Sequence, residues 1–158
     1  MDINPNVLSR LFDITYRVIK SQTEGLTDQD SLLQPPFRGN CLNWVLGHIV
    51  TNRNRVLMLL DESPIWSEAE MAAYKTGSQP IAHPGENIHS LEKILSGLDQ
   101  SQERLIAALQ RVSQEKMEAT IDEETVGQQL AGLHFHESYH TGQTELLRQL
   151  AGKNDAIV

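Results

Sequence analysis

Cysteine is almost absent, one residue in 158. A single thiol excludes a disulfide scaffold and any metal centre built only from thiolates. Basic residues are scarce too: 13 Lys and Arg stand against 21 Asp and Glu, for a net charge of −8 with neutral histidines. Such a chain lacks the basic footprint that a nucleic-acid backbone requires, and an anionic lipid surface repels it. No run of 18 apolar residues is present to cross a bilayer. The opening Met1-Asp-Ile-Asn-Pro also lacks the basic-then-apolar pattern of a secretory leader. These absences predict a cytoplasmic protein with neither nucleic acid nor membrane among its partners.

Aromatic residues make up only 5%, while Leu, Gln, Glu and Ala fill long windows, and nothing reads as a strand. The length suits one domain over 1–158, able to bury roughly two-thirds of its unfolded surface. A first helix is predicted from about Pro5 to Glu24, capped by Asn4 and stopped by Gly25, with Leu8, Leu11, Phe12, Tyr16 and Ile19 on its buried face. A second runs from about Cys41 to Leu60 with Asn40 as its cap. Its core side is Leu42, Val45, Leu46, Ile49, Arg53, Val56 and Leu60. A crossover over 61–85 follows, holding one short helix opened by a Ser67–Glu70 capping box and closed by Gly77. The third helix spans about Ile88 to Val112. There Ile88, Leu91, Leu95, Leu98, Gln102, Leu105, Leu109 and Val112 keep a 3–4–3–4 seam. The fourth begins near Thr125, with a Thr125–Gln128 capping box, and stops at Gly152. The predicted fold is all-α, an antiparallel four-helix bundle with a long crossover between helices 2 and 3.

Six histidines are present, and His136 with His140 is the informative pair. At 100° and 1.5 Å per residue they sit about 40° and ~6 Å apart, so both imidazoles reach one ion. Leu133, Gln143 and Leu147 share their stripe, which points the pair inward, where a histidine needs a hydrogen-bond partner or a metal. His48 is the best third ligand, on the flank of the second helix's apolar face and one turn after Trp44. His134 projects about 120–160° from the pair, and His83 and His89 fall in or beside the crossover, where solvation is expected. Three neutral histidines suit zinc, nickel, copper or ferrous iron, and three ligands leave a position open, as in catalytic sites.

The run from His136 through Glu137 to His140 also matches the zinc-protease pattern H-E-x-x-H, in which the glutamate is the general base. The match is formal. Gln143 stands where the longer protease motif requires Gly, and Leu146 where it requires a third His. Glu137 projects about 80° from the ligand direction, so it is a weak candidate for a catalytic base and a better one for a salt bridge. Cys41 lies about 10 Å along the helix from His48 and is read as a small apolar filler. Arg53 interrupts an apolar face, which suggests a buried ion pair or a stem that snorkels its charge to solvent.

The segment holding Asn43, Trp44, Gly47 and His48, taken with His136, Tyr139, His140, Gly142 and Gln143, resembles the DinB-like family of bacterial proteins, also called the YfiT-like metal-dependent hydrolases. The resemblance covers essentially the whole chain. It implies a four-helix bundle holding a divalent metal, zinc or nickel most often, through His48, His136 and His140. It further implies a metal-activated low-molecular-weight thiol attacking an electrophilic small molecule in S-transfer. The alternatives it leaves are a hydrolase that activates water at the same position, and a non-catalytic binder. Gln143 is expected to orient a ligand imidazole, and Gly142 to allow close helix approach. Tyr139 is expected at a helix–helix contact. A thiol bearing carboxylates would need a cation, for which Arg38, Arg53 and Arg55 are available. Family members are often homodimers, and the apolar Ile65 and Trp66 of the crossover either contribute to such a contact or pack under the long loop.

Overall fold

A computed structural model describes residues 3–154. Four long helices dominate it: α1 (Pro5–Thr23), α3 (Leu42–Leu59), α5 (Leu91–Arg111) and α7 (Val126–Leu150). Single-turn helices α2 (Asp28–Ser31), α4 (Glu68–Met71) and α6 (Gln114–Glu118) fill the links, with a 3₁₀ turn at Ala72–Tyr74. α1 packs on α5 and α7, and α3 packs on the same two, which closes a ring of four contacts. The fold is all-α in the main. Among the described residues, no helix is long and apolar enough to cross a membrane.

The caps explain where the helices begin. Asn4 Oδ1 accepts from the Asn6 backbone N–H at 2.9 Å, Pro5 occupies the first turn, and Gly25 takes φ +70° just past the end. Thr125 and Gln128 form the predicted capping box, as do Ser67 and Glu70. Two starts differ from expectation. The cap of α3 is Cys41, not Asn40, and its thiol turns away to the Ile81 carbonyl at 3.3 Å. α5 begins three residues later than Ile88, because Ser90 caps it and Asp28 accepts from the Leu91 N–H at 2.5 Å. A two-stranded hairpin, β1 (Thr120–Ile121) with β2 (Glu124–Thr125), was not expected. Two-residue strands are too short to show an alternating pattern; the turn residues Asp122 and Glu123, both at positive φ, make it.

The core divides in two along the helices. One cluster joins Leu42–Val50 of α3 to Leu147 near the end of α7, and the other joins Val56–Leu60 to Val126, Leu130 and Leu133 near its start. α3 and α7 therefore run in opposite directions. Every residue from Leu42 to Val50 is buried, not one face as the sequence pattern suggested. The reason is the crossover, which wraps the outer side of α3 with Trp66, Met71, Tyr74 and Ile81. Of the two readings for Trp66 and Ile65, packing under the loop holds: Trp66 is buried against Gly97, and Ile65 is half-buried. Leu11, expected inside, is exposed.

Glycine placement reverses one expectation. Nothing lies within 4 Å of the position a Cβ would take at Gly142, so no helix approaches closely there. At Gly47 a Cβ would collide with the buried Tyr74 ring. Gly47→Ala is therefore expected to destabilise the protein by about 1–3 kcal/mol through overpacking. Gly142→Ala, on an exposed turn of α7, should be neutral or stabilising by up to about 1 kcal/mol. Urea denaturation of the two variants reads the difference, and equal effects would contradict the packing described.

Candidate metal centre

α3 and α7 bring His48, His136 and His140 together. One nitrogen from each ring lies within 4.8 Å of the others. His136 Nε2 is 3.2 Å from His48 Nε2 and 3.2 Å from His140 Nε2. The other nitrogens settle the tautomers. His48 Nδ1 donates to the Tyr74 carbonyl at 2.6 Å, and a carbonyl can only accept. His140 Nδ1 donates to Gln143 Oε1 at 2.8 Å. Both Nε2 atoms are therefore lone pairs, and both face a third imidazole nitrogen. Trp44 stacks on the His48 ring at 4.5 Å, holding its plane.

Three such nitrogens fit a cation better than they fit one another. Donors at 2.0–2.1 Å from a tetrahedral ion stand about 3.3 Å apart, close to the observed spacings. Without an ion, a single proton on His136 Nε2 faces two acceptors. His136 Nδ1 is buried with no partner among the described residues. Burial holds all three imidazoles below the ordinary histidine range, with His48 pushed down to about 4. For His48 and His140, the positive charge that a neighbouring ring would carry adds to that effect. The donor set is thus neutral and ready to ligate at physiological pH.

The remaining sequence candidates sort clearly. Gln143 reaches His140, as the resemblance implied. Glu137 is not part of the cluster: it is buried, and Arg53 grips its carboxylate through Nε at 2.8 Å and Nη2 at 2.7 Å. Thr15 donates to the same carboxylate at 2.5 Å, while Arg53 Nη1 donates to Gln102 at 2.9 Å. The zinc-protease likeness fails here for a physical reason, since both oxygens of the supposed base are already occupied. Arg53 is the buried ion pair that the sequence suggested. Removing one member of such a pair costs about 3–5 kcal/mol.

Tyr139 is exposed, its ring 5.2 Å from that of His140, and makes no interhelical core contact of the kind expected. His89 is half-buried against Trp66 and Tyr74, not solvated. His134 packs on Phe12, and His83 is exposed. Burial pushes the Cys41 thiol up, as suits a filler. Arg38 is exposed in the loop before α3.

Sequence reasoning missed two contributors. Tyr74 supplies the carbonyl that orients His48, and no pattern in the sequence points to a main-chain group. Asn52 Nδ2 donates to the His48 carbonyl at 2.9 Å and lies 3.2 Å from His48 Nε2; its i, i+4 spacing from His48 was the available signal.

A mostly helical fold with three inward imidazoles on two facing helices defines a class, the helical proteins with a preformed trihistidine cluster. Residues 11–144 match the family model of the DinB superfamily, and the chain belongs to that superfamily. Its fold is shared with a conserved protein from Enterococcus faecalis, known from a crystal structure. The TM-score is 0.73 at 16% identity, covering 96% of this chain and 98% of that one, a likeness of fold alone. No curated protein matches the chain.

The low histidine pKa values carry a stability consequence. The unfolded chain takes up protons near pH 6.5 that the folded chain refuses until far lower pH. The contribution of His48 is thus complete above about pH 6.5 and is lost as pH falls toward 4, and those of His136 and His140 are lost in the same direction. The metal-free protein should melt at a lower temperature at pH 5 than at pH 7.5, and His48→Leu should flatten that difference. An undiminished difference in the variant would contradict the burial-driven shift.

Proposed function

We propose that the chain is a single-domain, antiparallel four-helix-bundle metalloprotein whose His48, His136 and His140 hold one divalent cation, zinc or nickel, through their Nε2 atoms. The observation that carries this reading is that two Nε2 lone pairs, fixed by Nδ1–H bonds to oxygen, meet a third imidazole nitrogen at 3.2 Å. Gln143 and the Tyr74 carbonyl act on the ligands from outside, setting tautomer and ring angle. Three protein donors leave a coordination position for a substrate. A cation bound there lowers the pKa of a coordinated thiol or water.

The enzymatic reading is activation of a low-molecular-weight thiol for S-transfer to an electrophilic small molecule, with hydrolysis as the alternative. Glu137 has no part in proton transfer in either, because Arg53 and Thr15 occupy its oxygens. A neutral ligand set leaves the cation's full charge to act on the incoming donor, thiol or water alike. In solution a homodimer is proposed. Exposed Val7, Leu11 and Ile14 on α1, with Phe135, Tyr139 and Leu146 on α7, provide the apolar surface for it.

Metal analysis tests the site. The wild type is expected to hold one cation per chain, and His136→Ala or His140→Ala to fall well below that with helicity retained. Stoichiometric metal in both variants would overturn the ligand assignment. Turnover of an aryl halide by the metal-loaded protein only in the presence of thiol supports S-transfer; turnover with water alone supports hydrolysis, and neither leaves a binder.

A further inference from the structure

α3 is closed to solvent from Leu42 to Val50 and opens only beyond it, at half-buried Thr51 and Asn52 and exposed Arg55. Asn52 is the first of these that touches the imidazole cluster. Its side-chain nitrogen carries two hydrogens. One is used on the His48 carbonyl at 2.9 Å, and the other reaches the His48 Nε2 lone pair at 3.2 Å. That lone pair is the one a cation takes. Once it is taken, the second N–H has no acceptor, yet it still lies beside the point where the three Nε2 atoms meet. A half-buried donor in that position favours an acceptor atom next to it. An anionic acceptor is favoured most, because charge-assisted hydrogen bonds are roughly twice as strong as neutral ones.

Charge on the same strip of α3 points the same way. Arg55 follows Asn52 by three residues and takes part in no ion pair among the described residues. Arg53, the nearer cation in sequence, is consumed by Glu137. An exposed cation about two turns along α3 from His48, left unneutralised in a chain of net charge −8, draws ligands of negative charge toward that end of the helix.

We propose that Asn52 reads the ligand at the open metal position, its side-chain N–H donating to an anionic donor atom, a thiolate or a small oxyanion or pseudohalide, held beside His48 Nε2. The inference rests on the trihistidine reading and extends it from the cation to the class of molecule the cation receives. Asn52 selects for an atom that both coordinates a cation and accepts a hydrogen bond. A neutral amine, which coordinates but has no lone pair left to accept, is selected against.

The test uses the full chain loaded with cobalt(II), whose visible absorption reports the coordination position and whose near-ultraviolet charge-transfer band reports a bound thiolate. Azide and 2-mercaptoethanol are titrated into the wild type, Asn52→Leu, Asn52→Asp and Arg55→Ala. All four proteins are expected to take one cobalt per chain. Both Asn52 variants should bind azide and thiolate about tenfold or more weakly, the loss of one hydrogen bond to a charged group. Arg55→Ala should show a smaller loss that fades at high salt. Two variants of near-identical shape guard against a packing defect in either one.

Wild-type affinity for both probes in the Asn52 variants would overturn the proposal. So would loss of cobalt from Asn52→Leu, which would make the residue a support for His48 and not a reader of the ligand. Failure of the trihistidine reading shows separately, as a wild type that takes up no cobalt.

Discussion

The site depends on one hydrogen bond, from His48 Nδ1 to the main-chain carbonyl of Tyr74 at 2.6 Å. It decides which nitrogen of His48 carries the proton and therefore which one offers a lone pair to the cluster. The acceptor belongs to the crossover, far from α3 in sequence, so the crossover is a working part of the site. Tyr74 is held from several sides. Its ring fills the notch over Gly47, its hydroxyl donates to Asn43 Oδ1 at 3.2 Å, and the same hydroxyl accepts from the His89 N–H at 2.7 Å. A carbonyl fixed this firmly keeps His48 from turning its other nitrogen inward.

α7 is oriented by a different device. Glu137 follows His136 directly, and the two-pronged grip of Arg53 on its carboxylate fixes how α7 is rotated against α3. With Glu137 turned toward Arg53, helical geometry leaves His136 and His140 on the flank toward His48. Charges buried this deeply survive only when paired and hydrogen-bonded, and Thr15, Ser101 and Gln102 complete the shell around this pair. The residues that look catalytic by motif thus hold the frame on which the three imidazoles meet.

Much of this was legible in the sequence. The four long helices announce themselves through apolar spacing, and two of them also through their caps, because Asn4 and Thr125 satisfy backbone donors that any helix start leaves open. His136 and His140 are readable as a pair because helical geometry alone places them on one stripe. His48 was readable as the third member from its place on the flank of the second helix's apolar face, and the family resemblance pointed to the same residue. What stayed hidden are contacts between distant segments. The burial of α3 all round comes from the crossover wrapping it, which no window of local sequence records. The clash that demands Gly47 comes from Tyr74, 27 positions further along the chain. Gly142, conspicuous in its motif, meets open space. For Trp66 the sequence leaves a surface contact and packing under the loop equally open, and Gly97 of another helix receives it.

The central claim is that three imidazole nitrogens share one cation. X-ray absorption at the metal edge of the zinc- or nickel-loaded protein tests it most directly. Three imidazole nitrogens near 2.0–2.1 Å, with one or more oxygen donors completing the shell, is the spectrum expected. A first shell of oxygen alone, or one with fewer than two imidazoles, would contradict the convergence of His48, His136 and His140 on a single ion.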